Sequence, residues 1–290
     1  MLPVMRRLVL PFLASLLLVS ACTSGAPEPT SSPEPDDPTV RRYVAIGDSY
    51  TAGPGIPPED SESGGCERSD SNYPSLVARR LGADLVDASC GSATTTDVLS
   101  APQSRAGATL PQIEQLSADA DLVTVGIGAN NGFATPMFVS CIYAKQTEKD
   151  CPAWFEDDMP GVLSAIEPEV AAVLDQVERR APDATVLLVG YLSVAADGPC
   201  SAMPVAERSL EIMRDAQARL EKMLERVAKR GGATFVPMGR LSKDHGPCSD
   251  KPWVNGVNAG RGDGQLLHPR RSGMVATADA VVDAVRDARA

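Results

Sequence analysis

The sequence predicts an α/β fold, a three-layer α/β/α sandwich around a parallel sheet, and three observations carry that prediction. Short apolar runs rich in β-branched residues recur along the chain, helical patterns separate them, and no fixed-period repeat competes with this alternation. Strands joined by crossover helices all end on one edge of a sheet, so a ligand site is expected at their carboxyl ends.

The 290-residue chain opens with the layout of an export signal over residues 1–21: Arg6 and Arg7, an apolar run from Leu8 to Val19, then small residues before Cys22. The run is short for a bilayer span. The ending LVSAC resembles a bacterial lipobox, which implies cleavage before Cys22, its lipidation, and attachment to the extracytoplasmic face of a membrane; without acylation the product would be secreted. Residues 22–40 are Pro-, Ser- and acid-rich, as expected of a disordered spacer. The remaining residues, 41–290, suit one domain with a substantial core.

Within that domain residues 43–46, 121–127 and 185–190 read as buried strands, with weaker candidates at 84–88 and 234–237. Helical patterns cover 74–81, 162–180, 205–230 and 271–286. The second carries Glu167 and Glu169 early and Arg179 and Arg180 late, matching the helix dipole. A net charge of −11 disfavours nucleic acid and anionic lipid as electrostatic partners.

Besides Cys22 the chain holds Cys66, Cys90, Cys141, Cys151, Cys200 and Cys248. An even number in an exported chain predicts three disulfides, with the pairing left open. Zinc is the competing use, but there is no CxxC pair, and of the two histidines only His245 lies near a cysteine. No metal is expected.

Three strand-end features carry chemistry. Ser49, in GDSYTAG, sits on a sharp turn directly after the first strand, which exposes a hydroxyl; a serine there also suits a plain helix N-cap. Asn130, in GIGANNG, offers a carboxamide after the 121–127 strand, although Asn in a Gly-rich turn is often only tolerant of left-handed backbone. His268, in GQLLHP after the strand-end serine and before the last helix, is the only credible general base besides His245.

Together these blocks resemble the GDSL, or SGNH, hydrolase family, through GDSY at Ser49, CGSATT at Cys90, GIGANN at Asn130 and LLHP at His268, in the family's order over about residues 41–288. The chain is most similar to the secreted actinobacterial esterases and lipases of that family, through YVAIGDSYTAGPGIP, the NYP of residues 72–74 and the PWVNG of residues 252–256. The resemblance implies a flavodoxin-like sheet and the pairs Cys66–Cys90, Cys141–Cys151 and Cys200–Cys248, worth about 3 to 4 kcal/mol each on chain-entropy grounds. It also implies Ser49 as nucleophile, His268 as base, and an oxyanion hole from the Ser49 and Ser92 backbone N–H groups and the Asn130 carboxamide.

Four positions depart from the family pattern. Ser92 replaces a Gly, Ala129 replaces a Gly, Asn131 replaces an Asp, and Gln265 stands three residues before His268 where an Asp is common. Without that acid the reading is a Ser49–His268 dyad whose ring is held by the carbonyl of Gln265 or Leu266; Asp263 is the candidate acid if a triad forms. The resemblance therefore implies a carboxylic-ester hydrolase forming an acyl-enzyme, acting on a small-molecule or lipid ester at the cell envelope without a cofactor. The alternative is a degenerate member of the fold that binds envelope glycan or lipid without hydrolysis.

Overall fold

The computed structural model describes residues 40–101, 107, 110–258, 260 and 262–290. The expected signal, Cys22 and nearly all of the spacer lie outside the described residues. Five strands, β1 (Arg42–Gly47), β2 (Asp84–Asp87), β3 (Leu122–Gly126), β4 (Thr185–Val189) and β5 (Thr234–Val236), form one parallel sheet in the order β2-β1-β3-β4-β5. This is the three-layer α/β/α architecture the alternation predicts.

The helices are α1 (Ser49–Ala52), α2 (Tyr73–Leu81), α3 (Thr95–Leu99), α4 (Ala134–Phe138), α5 (Thr147–Ala153), α6 (Met159–Arg180), α7 (Glu207–Arg230), α8 (Met238–Leu241) and α9 (Arg271–Arg289). One layer pairs α2 with α9 and the other pairs α6 with α7. Each long helix buries one stripe: Ile166, Val170, Val173, Leu174 and Val177 on α6, and Leu210, Met213, Leu220, Leu224 and Val227 on α7. Every residue of β3 is buried, as its apolar composition requires of a central parallel strand. Asn72 caps α2 by accepting from the Ser75 N–H (2.9 Å), while its Nδ2 donates to Asp87 at the end of β2 (2.7 Å). The NYP motif thus ties a helix start to a strand end.

Register matters more for function than the layers do. In the β1–β3 pair Gly47 lies opposite Gly126, and the Asp48 N–H donates to the Gly126 carbonyl (3.0 Å). The turns leaving β1 and β3 therefore start side by side. Both strand ends must be glycine because Thr51 fills the space above them: a Cβ on Gly47 would lie 2.1 Å, and one on Gly126 2.7 Å, from Thr51 Oγ1. Buried Gln112 then clamps Gly47 with a pair of amide bonds, accepting from its N–H (2.9 Å) and donating to its carbonyl (3.0 Å).

The three disulfides are Cys66–Cys90, Cys141–Cys151 and Cys200–Cys248, the pairs the resemblance implies. The second staples an element for which the sequence suggests no structure. Between β3 and α6 the chain folds as α4, a π-helical turn (Val139–Tyr143), α5 and another π-helical turn (Trp154–Asp158).

Candidate active site

The first block places its serine by local geometry. Asp48, buried and extended, caps α1 by accepting from the Tyr50 N–H (2.9 Å), so Ser49 is the first residue of a one-turn helix directly above the sheet edge. Its Oγ lies 2.8 Å from His268 Nε2. His268 Nδ1 lies 2.7 Å from the Leu266 carbonyl. Because a carbonyl only accepts, Nδ1 carries the proton, and Nε2 is left to accept from the serine hydroxyl. Burial pulls the His268 pKa below the ordinary imidazole value of 6.5, partly opposed by the Leu266 bond and by the charge of Glu67. The ring is therefore neutral, and basic, near pH 7.

Of the three candidates for holding this ring, only Leu266 does so. The Gln265 carbonyl accepts instead from the His268 N–H (3.3 Å) and from Asn255 Nδ2 (3.1 Å), and its side chain donates to Glu67 (3.2 Å). Asp263 is turned the other way. Its carboxylate pairs with Arg270 (2.6 Å) and accepts from the Arg271 N–H at the start of α9 (2.9 Å). Asp263 is engaged in an ion pair and a helix start rather than with the His268 ring.

The histidine loop lacks regular structure and is shaped by buried Asn255, whose N–H donates to the His268 carbonyl (2.9 Å) and whose Nδ2 donates to the Asp263 carbonyl (2.6 Å) as well as that of Gln265. Leu267 takes a left-handed φ of 57°, and Tyr50 Oη donates to its carbonyl (2.7 Å).

Asn130 leaves the β3 turn and donates one N–H to the Ala93 carbonyl (3.0 Å), joining the third block to the second. A carboxamide has a second N–H to offer. Ser92, between Cys90 and Ala93, has φ 63°, the left-handed backbone for which the family's Gly is suited. Among the described residues no backbone carbonyl accepts from the N–H of Ser49 or of Ser92. Asn131 has a different duty: its Oδ1 accepts from the Thr95 N–H (3.2 Å), and its Nδ2 donates to Thr95 Oγ1 (2.6 Å) and to Glu169. An Asp here would face the Glu169 carboxylate, so the charge usual at this position is supplied from α6 instead.

Residues unforeseen in the sequence complete the site. Tyr191, just past β4, donates its hydroxyl to Asp48 (2.6 Å) and accepts from the Ala129 N–H (3.1 Å), bridging the first and third blocks. Its ring meets Tyr50 edge-on at 5.3 Å. Burial raises the Asp48 pKa to about 7, against the two hydrogen bonds that lower it. Tyr191 follows the strand-end Gly190, a position that could have flagged it, and Asn255 lies within the PWVNG motif, whose role the sequence leaves unassigned; Gln112 carries no local signal.

A cavity of about 210 Å³ opens at Ser49, Ser92, Asn130 and His268, and continues between Phe133, Met137, Phe138, Val194 and Leu220. Trp154 backs its wall, edge-on to Phe133 at 5.7 Å, whereas Trp253 stacks on His245 at 3.9 Å elsewhere. Among the described residues no group of three or more His, Cys, Asp or Glu is arranged to hold a metal ion.

The sequence profile of the GDSL-like Lipase/Acylhydrolase family matches residues 45–276. Lipase 2 of Streptomyces coelicolor is 32% identical over 263 residues, 85% of each chain, and a lipase of Streptomyces rimosus is 30% identical over 217 residues, 74% of this chain and 76% of that one. Two crystal structures superpose with a TM-score of 0.72 at 28% identity. The extracellular lipase of Streptomyces rimosus is covered to 99% by 86% of this chain, and phospholipase A1 of Streptomyces albidoflavus to 100% by 87%. The chain belongs to the GDSL/SGNH family and is an ester hydrolase, a lipase or esterase.

Proposed function

We propose that Ser49 and His268 act as a catalytic dyad that hydrolyses carboxylic esters through an acyl-enzyme. The observation that carries this is the pair of contacts at His268, Nε2 on the serine hydroxyl and Nδ1 on the Leu266 carbonyl. His268 takes the Ser49 proton as Oγ attacks the ester carbonyl, then returns it to the leaving alcohol; water repeats the cycle to release the acid. The free N–H of Asn130 and the backbone N–H groups of Ser49 and Ser92 receive the oxyanion, each such donor being worth about 3 to 4 kcal/mol in the transition state. The Leu266 carbonyl dipole fixes the tautomer and partly offsets the imidazolium charge. No cofactor enters this cycle.

The substrate class is acyl esters of lipids. The apolar cavity beside Ser49 and relatives named lipase and phospholipase A1 support it. The lipobox-like LVSAC supports a location at the cell envelope with a tether through acylated Cys22, and three disulfides fit an oxidising compartment. The test is hydrolysis of p-nitrophenyl esters from acetate to palmitate by the oxidised protein beside Ser49→Ala and His268→Ala. Each variant should lose about 10⁴-fold or more in kcat. Wild-type turnover no faster than theirs across the series would refute the dyad.

A further inference from the structure

A second cavity, about 240 Å³, lies against the first, and Tyr191, Gln217 and Leu220 line both. Gln217, Leu220 and Leu224 follow one another on a single face of α7, so one helix runs beneath both spaces. The partition is tied across by hydrogen bonds. Gln217 Oε1 accepts from the N–H groups of Val194 (3.2 Å) and Ala195 (3.3 Å), which binds the chain after β4 down onto α7. Beyond this wall the second cavity has an apolar floor at Ala195 and Leu224, while the carboxylates of Asp197 and Glu221 and the cationic Arg214, Lys222 and Lys243 border it. The aliphatic stems of these cations can cover apolar surface and leave the charged heads in water.

Resting on the acyl-ester reading above, we propose that this second cavity is a distal acyl subsite and that Gln217 and Leu220 form the wall that limits the chain length the enzyme accepts. A chain longer than the first cavity must pass that wall to stay buried. Removing the wall joins the two spaces and should favour long esters without altering the Ser49–His268 contact.

The experiment compares kcat/KM for p-nitrophenyl palmitate and butyrate in the full oxidised chain. Gln217→Ala should raise the palmitate-to-butyrate ratio about tenfold, the gain from burying roughly two further methylenes. Adding Ala218→Trp, whose indole would occupy the second cavity that Ala218 lines, should return the ratio to the wild-type value. Leu220→Ala opens the same wall while keeping the Gln217 bonds, so it decides the matter if Gln217→Ala does not fold. A ratio within about twofold of wild type in whichever variant folds, or a raised ratio that Ala218→Trp leaves untouched, would overturn the subsite. Butyrate hydrolysis that persists in Ser49→Ala would instead overturn the catalytic reading, and a wild type inactive on both esters would overturn the two together.

Discussion

The two halves of the site are built in opposite ways. Ser49 and Asn130 stand on turns from adjacent central strands, whose register brings Gly47 level with Gly126; their positions follow from the sheet. His268 stands on a loop shaped by side chains: Asn255, the Tyr50 bond to Leu267, and the Arg270–Asp263 pair. One half is preorganised by backbone ladders that use the whole core, the other by a few bonds that single substitutions can remove. The histidine half should therefore be where activity is lost without unfolding.

Asn255→Ala breaks that half most directly. Removing its two side-chain bonds to the Asp263 and Gln265 carbonyls should let His268 drift. We expect kcat/KM to fall about 100-fold, since displacements near 1 Å at a reacting group cost that much, while the circular dichroism of the sheet is retained. Equal activity in wild type and variant would mean the loop is held by something else.

Asp48 probes the sheet-borne half. Its pKa, 3.8 ordinarily, is raised to about 7 in the fold. Below pH 4 it is neutral in both states; between about 4 and 7 the unfolded chain releases the proton and the folded chain keeps it, so stability falls as pH rises through that window and the penalty levels off above it. Asp48→Asn does not titrate. Its Tm relative to wild type should climb by several degrees from pH 4 to pH 7, as differential scanning calorimetry can follow; a constant difference would contradict the raised pKa.

A smaller effect belongs to Glu67. The neutral form of His268 is the active one, so kcat/KM should rise with pH through a midpoint below the ordinary imidazole 6.5. Glu67 opposes that lowering, and Glu67→Gln should move the acid limb further down, an effect that salt attenuates. An upward movement would contradict the assignment.

The same division governs what could be read from the sequence. All five strands and four long helices follow from periodicity, with ends displaced by a few residues at most, because burial on a sheet or stripe imposes a local pattern. Ser49, Asn130 and His268 were legible because the turns bearing them are short motifs. The cap formed by α4, α5 and the π-helical turns was not: acids, Pro152 and a disulfide interrupt any apolar period there. Nor could local pattern decide between Gln265, Leu266 and Asp263, since the choice depends on Arg270, Asn255 and Glu67 closing around the loop in three dimensions. Of the four departures from the family pattern, Asn131 has a physical account in Glu169, and Gln265 in the Leu266 carbonyl. Ser92 keeps the backbone of a glycine at φ 63°. Nothing in the structure explains Ala129.

The dyad is tested most directly by the rate at which a fluorophosphonate labels the protein, read by intact mass with the adduct located by peptide mapping. With a dyad, one adduct is expected, on Ser49, forming in Asp263→Asn within about tenfold of the wild-type rate and in His268→Ala slower by several orders of magnitude. Labelling of Asp263→Asn as slow as that of His268→Ala would contradict it and make Asp263 the third member of a triad.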